Sequence, residues 1–258
     1  MELNWKPRIT INISMNAMHK ELNFIDCHTH ILPGMDDGPQ NLQESIRMLQ
    51  SLLAQGVHTV WLTPHFYPYK ESLESFLSRR EKACSILKPD ADELGMELLP
   101  ASEAFLSDYL FNAPDISKLC IGGKYLLTEL PFSLGFSQQV FNRISRLTLT
   151  FGVVPILAHV ERYPKLIKDV AMLDEFVDMG CLAQINLSSL KDGIMKRKQL
   201  LEYIEIDLVH LIGTDCHNMG NRSPKYSSGI SIIENKLGSG YVEQLMDNAR
   251  QIMRGRQI

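Results

Sequence analysis

Hydrophobic and polar positions along the chain alternate between short apolar runs and segments with helical spacing. The apolar runs predict strands at 24–28, 57–63, 96–102, 125–130, 153–159, 182–188 and 208–214. Helical spacing predicts helices at 40–55, 71–88, 137–150, 165–179, 192–204 and 224–254, the second ending before Pro89. Strands that are apolar on both faces and separated by helices predict a parallel sheet with helices outside it.

The number of these units indicates how the sheet is organised. Seven or eight strand-helix units in a chain of 258 residues favour a closed or nearly closed α/β barrel. The sequence has no internal repeat and no Pro/Gly-rich linker that would mark a boundary. We therefore expect one barrel domain over residues 21–258. Residues 1–20 are expected to be an N-terminal extension, and the sequence leaves disorder open there.

Charge and cysteine content narrow the classes of function. The chain has 26 basic and 30 acidic residues and a net charge of −4, which argues against nucleic-acid and membrane-surface roles. No apolar run approaches the ~20 residues that a membrane span needs, so we expect no membrane insertion. The five cysteines form neither a disulfide framework nor a CxxC metal pattern, which predicts a cytoplasmic protein.

Residue types that bind metals follow strand after strand. In parallel barrels the carboxyl ends of the strands meet at one mouth, so these side chains are expected to converge. Converging carboxylates repel one another unless cations compensate them, and mixed His/Asp/Glu ligation suits zinc, iron or manganese. The candidates are His28 and His30, one of Asp36 and Asp37, His65, Glu103, Glu129, His159, Asp215 and His217.

Two arginines lie just beyond these positions, Arg162 in AHVERYP and Arg222 in GTDCHNMGNRSP. A guanidinium group presents a planar set of donors that fits phosphate oxygens. Each arginine alone would be read as a surface salt-bridge residue, but beside metal ligands the pair favours a phosphoester substrate. Of the remaining histidines, His58 and His210 are interpreted as packing residues and His19 as solvent-exposed.

Six segments of the chain resemble the motifs of one protein family. The segment DCHTHILPGMDDGP resembles the N-terminal signature of the PHP (polymerase and histidinol phosphatase) superfamily. The resemblance is to its bacterial metal-dependent protein-tyrosine phosphatases of capsule and exopolysaccharide operons. TPHF, ASEAF, LLTELP, ILAHVERY and GTDCHN follow in that family's order, so the resemblance spans about residues 24–225.

The resemblance implies a distorted (β/α)7 barrel with three divalent ions, manganese first, with iron, zinc or magnesium as alternatives. By position, His28, His30, Glu103 and Asp215 would hold one ion. Glu103 would bridge to a second ion held by Glu129 and His159, and Asp37, His65 and His217 would hold the third. Arg162 and Arg222 match the positions that grip phosphate, whereas Asp36 matches no ligand.

The resemblance also implies a reaction and a partner. A metal-bridging hydroxide would attack the phosphorus of phosphotyrosine on the tail of a bacterial tyrosine kinase that controls polysaccharide export. Histidinol phosphate or another small phosphomonoester is the alternative substrate, and nuclease activity is a weaker option. A catalytically silent metal-binding regulator is the alternative of another class. Aromatic residues near the ligands could border the substrate cleft, namely Phe66, Tyr67, Tyr69, Phe132 and Phe136.

One further pattern suggests a different chemistry. Cys216 and Arg222 have the spacing found in cysteine-dependent tyrosine phosphatases, in which a thiolate attacks the phosphate. A negatively charged Asp215 next to Cys216 would raise the pKa of the thiol, which disfavours the thiolate. We therefore interpret Cys216 as a small buried residue.

Overall fold

Parallel strands and helices alternate along residues 23–132 and 137–258, the part of the chain that the computed structural model describes. The strands are β1 (Phe24–Thr29), β2 (Val57–Leu62), β3 (His65–Phe66), β4 (Glu97–Pro100), β5 (Glu103–Phe105), β6 (Tyr125–Glu129), β7 (Val154–Leu157), β8 (Leu182–Asn186) and β9 (Leu211–Gly213). The helices are α1 (Leu42–Leu53), α2 (Leu73–Glu93), α3 (Gln138–Phe151), α4 (Pro164–Lys168), α5 (Val170–Asp178), α6 (Ile194–Glu205), α7 (Ser227–Leu237) and α8 (Ser239–Met253).

The strands form one curved parallel sheet. Their order is β1-β2-β4 in one part and β3-β5-β6-β7-β8-β9 in the other. Strand β3 continues the line of β2, and β5 continues β4. Backbone bonds from Ala101 N to Leu62 O (2.8 Å) and from Glu103 N to Pro64 O (3.1 Å) bridge the two interruptions.

The last strand returns to the first. Asp215 N donates to His28 O (2.8 Å) and His30 N donates to Cys216 O (2.9 Å), so the segment after β9 pairs with β1. If β2 with β3 and β4 with β5 are each counted as one interrupted strand, the barrel has seven parallel strands, which form an interrupted ring. The predicted distorted (β/α)7 barrel is confirmed.

Helix packing follows the apolar spacing of the sequence. In α1, Asn41 accepts a hydrogen bond from Glu44 N at the first turn, while Met48, Leu49 and Leu52 are fully buried against the sheet. Most buried side chains are apolar, and many of the buried polar side chains gather near the carboxyl ends of the strands. None of the described helices is both long and apolar enough to cross a bilayer.

Some predicted element boundaries are wrong. Helix α2 continues through Pro89 because Pro89 and Ser85 are exposed, so water can bond the Ser85 carbonyl that has lost its helical donor. Leu87 and Ala91 remain buried on the opposite face. The helix expected over 224–254 is two helices, because Gly238 adopts a φ of 102°.

The helix expected over 165–179 also breaks into two, with Asp169 in an extended conformation between them. The expectations for residues 1–20, including His19, and for Phe136 lie outside the described residues.

Candidate metal centre

Nine predicted ligands lie together at the carboxyl ends of the strands. His28 is the next-to-last residue of β1 and His30 follows that strand. His65 and Glu103 begin the outer strand segments β3 and β5, and Glu129 ends β6. Of the remaining four, His159 follows β7, Asp215 and His217 follow β9, and Asp37 lies in the loop after β1. The structure therefore brings together residues that are far apart in the sequence.

The carboxylate of Glu103 lies at the middle of four imidazole rings. Its Oε2 is 3.2 Å from His28 Nε2, 3.3 Å from His30 Nε2 and 3.0 Å from His65 Nδ1. Its Oε1 is 2.8 Å from His159 Nε2. Burial by itself would raise the pKa of Glu103, but the charges of His28 and His159 hold it well below its usual range.

The donor set suits divalent cations. His28 Nε2 and His30 Nε2 face each other at 3.1 Å, so two ring nitrogens point at the same small volume. His65 Nδ1 and His217 Nε2 are buried without a hydrogen-bond partner among the described residues, although a carboxylate oxygen lies 3.0 Å and 3.2 Å away respectively. Ring nitrogens next to carboxylates, but not aligned for hydrogen bonds with them, are what a shared cation requires.

Three overlapping groups have ligand atoms that all lie within 4.8 Å of one another. They are His28, His30 and Glu103; His65, Glu103 and Glu129; and His30, Asp37, His65 and His217. This grouping differs from the assignment that the resemblance implied, because His65 takes the place of His159 beside Glu129 and His30 joins the third group. The division of ligands among individual ions stays a prediction.

Asp36, which matched no ligand, holds His30 in place. Its Oδ2 is 2.6 Å from His30 Nδ1 and accepts a hydrogen bond from His65 N (2.9 Å). Burial favours the neutral ring, but the Asp36 carboxylate outweighs it and raises the pKa of His30 to about 10. A carboxylate on Nδ1 leaves Nε2 to face the cluster, which is the common arrangement behind a metal-binding histidine.

Both predicted phosphate-binding arginines reach Asp215. Arg162 Nη2 is 2.5 Å from Asp215 Oδ2, and Arg222 Nη2 is 3.0 Å from Asp215 Oδ1. Arg222 Nη1 also lies 3.2 Å from Asp37 Oδ2. The two guanidinium groups are about one-third exposed at the rim, so their charge faces the opening of the centre.

Two of the candidate ligands have strained backbones. His159 has a φ of 36° and Asp215 a φ of 53°, both in the left-handed region that residues with a Cβ rarely adopt. Such strain persists only where surrounding contacts fix it, and it concentrates at functional sites. Here it turns both side chains into the mouth immediately after their strands.

A glycine allows the two ends of the ring to approach. A Cβ on Gly213 would lie 2.6 Å from His28 Cβ and 2.8 Å from His28 N. Only glycine therefore fits where β9 passes β1, next to two candidate ligands.

Strand β8 carries no predicted ligand, yet two of its side chains touch the centre. Gln184 Oε1 accepts from His159 N (2.9 Å) and lies 3.1 Å from His28 Nδ1. Asn186 Nδ2 donates to Asp215 Oδ2 (2.9 Å). Sequence reasoning missed both residues; the available signal was a pair of amides at alternate positions of an otherwise apolar strand, LAQIN.

The proposed aromatic border is only partly present. A cavity of about 420 Å³ opens beside Asp37 and His65 and is also lined by Tyr67 and Lys70. The Tyr67 ring stacks on His65 with 5.1 Å between centroids. Phe66, by contrast, is a core residue.

The other two described aromatic residues lie near the surface. Phe132 is 55% exposed and stacks on Tyr163 with 4.7 Å between centroids, 6.3 Å from the His159 ring. Tyr69 is 48% exposed and packs edge-on against Phe105. Tyr67 and Phe132 therefore flank the centre on two different sides.

Cys216 lacks the properties of a nucleophile. Its side chain is fully buried, and burial together with the Asp26 charge raises the pKa of the thiol well above its ordinary value. Reactive cysteines are accessible and have a lowered pKa. The guanidinium group of Arg222 is paired with Asp37 and Asp215, as described above.

Known proteins resemble this chain over nearly its whole length. The tyrosine-protein phosphatase CpsB of Streptococcus pneumoniae is 32% identical over 248 residues, covering 89% of this chain and 98% of that protein. The tyrosine-protein phosphatase YwqE of Bacillus subtilis is 29% identical, covering 91% and 93% respectively.

A solved structure from work on YwqE and CpsB, described as unique metal-dependent tyrosine phosphatases, superposes with a TM-score of 0.77 at 25% identity. It covers 91% of this chain and 96% of the solved chain. The phosphotriesterase homology protein of Escherichia coli has a TM-score of 0.54 at 11% identity, which shows a shared fold. The resemblance seen in the motifs is confirmed. A family model for capsular polysaccharide synthesis proteins, CpsB/CapC, matches residues 24–254, and the chain belongs to that family.

Proposed function

We propose that this chain is a metal-dependent protein-tyrosine phosphatase acting in capsular polysaccharide synthesis. One observation carries the proposal: Glu103 lies among four histidines, and two arginines reach the neighbouring Asp215 from the rim. Cations and guanidinium groups together form a site for a phosphate dianion. Relatives that span the chain are named tyrosine-protein phosphatases, which supports phosphotyrosine as the substrate.

The cations, the two arginines and the cavity would each have a separate role in the reaction. Divalent cations bound at the cluster would lower the pKa of water and neutralise charge on the phosphoryl group. Arg162 and Arg222 would bind the non-bridging oxygens and stabilise charge that develops in the transition state. The cavity beside Asp37 and His65 opens towards solvent, so the tyrosyl leaving group could occupy it, next to Tyr67.

The proposal also covers the ions, the substrate protein, the cellular location and the domain. We propose three ions, with manganese preferred, bound by the nine residues named above. The substrate protein would be a bacterial tyrosine kinase with a phosphorylated tail, and the reaction would take place in the cytoplasm. Residues 21–258 would form a single catalytic domain.

The test is a panel of substrates. Protein loaded with manganese should hydrolyse a phosphotyrosine peptide faster than a phosphoserine peptide or histidinol phosphate, and a chelator should abolish the activity. Glu103→Gln should lose activity and bound metal, because it removes charge from the middle of the cluster. Glu97→Gln is the matched control, since Glu97 is an exposed carboxylate earlier along the same strand line.

Other results would point elsewhere. A preference for histidinol phosphate would move the chain to the alternative phosphatase class. Bound metal without turnover of any of the three substrates would support a silent regulator.

A further inference from the structure

Two fully buried amides on β8 connect two candidate ligands, Asp215 and His28. Gln184 and Asn186 are 0% and 1% exposed, and their i, i+2 spacing places both side chains on the inward face of the strand. Buried amides must have hydrogen-bond partners. Neither is a ligand type that the predicted centre uses, so their contacts need another explanation.

The contacts form a continuous line of hydrogen bonds from Asp215 to His28. Asn186 Nδ2 donates to Asp215 Oδ2 (2.9 Å), and Asn186 Oδ1 accepts from Gln184 Nε2 (3.0 Å). Gln184 Oε1 then faces His28 Nδ1 (3.1 Å) and also accepts from His159 N (2.9 Å). Asp215 and His28 are thereby joined through two amides.

The direction of this line follows from the first contact. A carboxylate can only accept, so the NH₂ group of Asn186 must face Asp215 and its oxygen must face Gln184. Gln184 must then donate its NH₂ group to Asn186, which turns its oxygen towards His28. An oxygen at that place requires His28 to carry a proton on Nδ1, and in the neutral ring that binds a metal the lone pair is then on Nε2.

We propose that Gln184 and Asn186 are positioning residues that fix the ring of His28 as the Nδ1–H tautomer, with Nε2 free to bind metal. The proposal rests on the proposed metal centre. His28 Nε2 is 3.1 Å from His30 Nε2 and 3.2 Å from Glu103 Oε2, so this tautomer presents a lone pair to the cluster.

His30 provides an internal comparison. Its Nδ1 is held by the Asp36 carboxylate at 2.6 Å, independently of β8. The same tautomer is therefore imposed on two neighbouring histidines by different means, a charged partner for His30 and a neutral pair of amides for His28. Loss of the amides should affect His28 and leave His30 as it is.

The first measurement is metal affinity. Zinc binding, followed by competition with a fluorescent chelator, should weaken about 10- to 100-fold in Asn186→Leu and in Gln184→Leu, the usual effect of losing a group that orients a ligand. Asn248→Leu is the matched control, because Asn248 Nδ2 donates to His210 O just before β9, whereas Asp215 and His217 follow that strand. The control should bind zinc as the unaltered protein does.

The second measurement separates positioning from general damage. Nitrogen-15 NMR of the histidine rings in zinc-loaded protein should report Nδ1–H for both His28 and His30. Gln184→Leu should change the His28 signals and leave the His30 signals as they are. Gln184→Glu, which keeps an oxygen facing His28 Nδ1, should preserve the tautomer that Gln184→Leu loses.

Defined outcomes would overturn the proposal. Unchanged His28 signals in both leucine variants, or equal changes in His28 and His30, would show that the amides do not set the tautomer. If the unaltered protein bound no zinc, the proposed metal centre would be wrong. The same NMR comparison in chelated protein, at a pH where His28 is neutral, would then decide the role of the amides alone.

Discussion

Burial of His210 makes the stability of the barrel depend on pH. His210 is 8% exposed, and burial lowers the pKa of its ring from 6.5 to about 4. Its Nδ1 accepts a hydrogen bond from Ala183 N at 3.1 Å, so the neutral ring is an integral part of the junction between β8 and β9. This agrees with the interpretation of His210 as a packing residue.

The sign of the effect follows from the two pKa values. Above pH 6.5 the ring is neutral in both the folded and the unfolded chain, and the full stability is present. Below pH 6.5 the His210 ring of the unfolded chain binds a proton, whereas the ring in the folded chain stays neutral down to about pH 4. The free energy of unfolding therefore falls as the pH falls. A tenfold change in proton affinity corresponds to about 1.4 kcal/mol, which gives about 2 kcal/mol lost between pH 7 and pH 5 and about 3 kcal/mol by pH 4.

The assay compares wild type with His210→Asn. Asparagine places an oxygen where Nδ1 accepts from Ala183 N, so it keeps the hydrogen bond and removes the titration. Urea unfolding of chelated protein, followed by circular dichroism, should show the difference between the two proteins shifting by about 2 kcal/mol in favour of the variant from pH 7 to pH 5. A difference that stays constant with pH would refute the reasoning, because other titrating groups are common to both proteins.

Three further predictions concern the centre. Arg162→Ala and Arg222→Ala should each reduce turnover about 100- to 1,000-fold while elemental analysis finds the metal content of the wild type; loss of metal would mean that the arginine supports the cluster. Cys216→Ser should keep much of its phosphatase activity and His217→Ala should lose most of it, and the reverse pattern together with chelator-resistant turnover would indicate a thiolate mechanism. Gly213→Ala should cost about 1–3 kcal/mol of unfolding free energy in urea and lower metal affinity, since its Cβ would overlap β1; wild-type values for both would show that β9 can move aside without consequence.

Much of the fold could be read from hydrophobic spacing, because each buried strand leaves an apolar run of its own. Pro89 shows the limit of such local rules. Its cost inside a helix depends on whether water reaches the Ser85 carbonyl, and only the packing of α2 against the barrel decides that.

The sequence also predicts some residues of the candidate site and not others. Histidines and carboxylates at strand ends are informative because few other roles need so many of them in one place. The choice between Asp36 and Asp37 could not be made from sequence, since adjacent carboxylates in a loop differ only in direction: Asp36 points at His30 Nδ1, and Asp37 points at His217 Nε2. The Gln184 and Asn186 pair gives only a weak signal in the sequence, two amides in an apolar strand, because the role of an amide depends on the groups that it contacts.

The bonds that close the ring have a consequence for how this protein is made. Strands β1 and β9 are the first and last of the barrel to leave a ribosome, and their pairing uses the backbones of His28 and Asp215. A chain still lacking β9 is also without Asp215, His217 and Arg222. Pairing across almost the whole chain is slow to form, because the intervening loop must close first. The capacity to bind cations and phosphate should therefore arise late in biosynthesis and in a single step, together with the closure of the barrel.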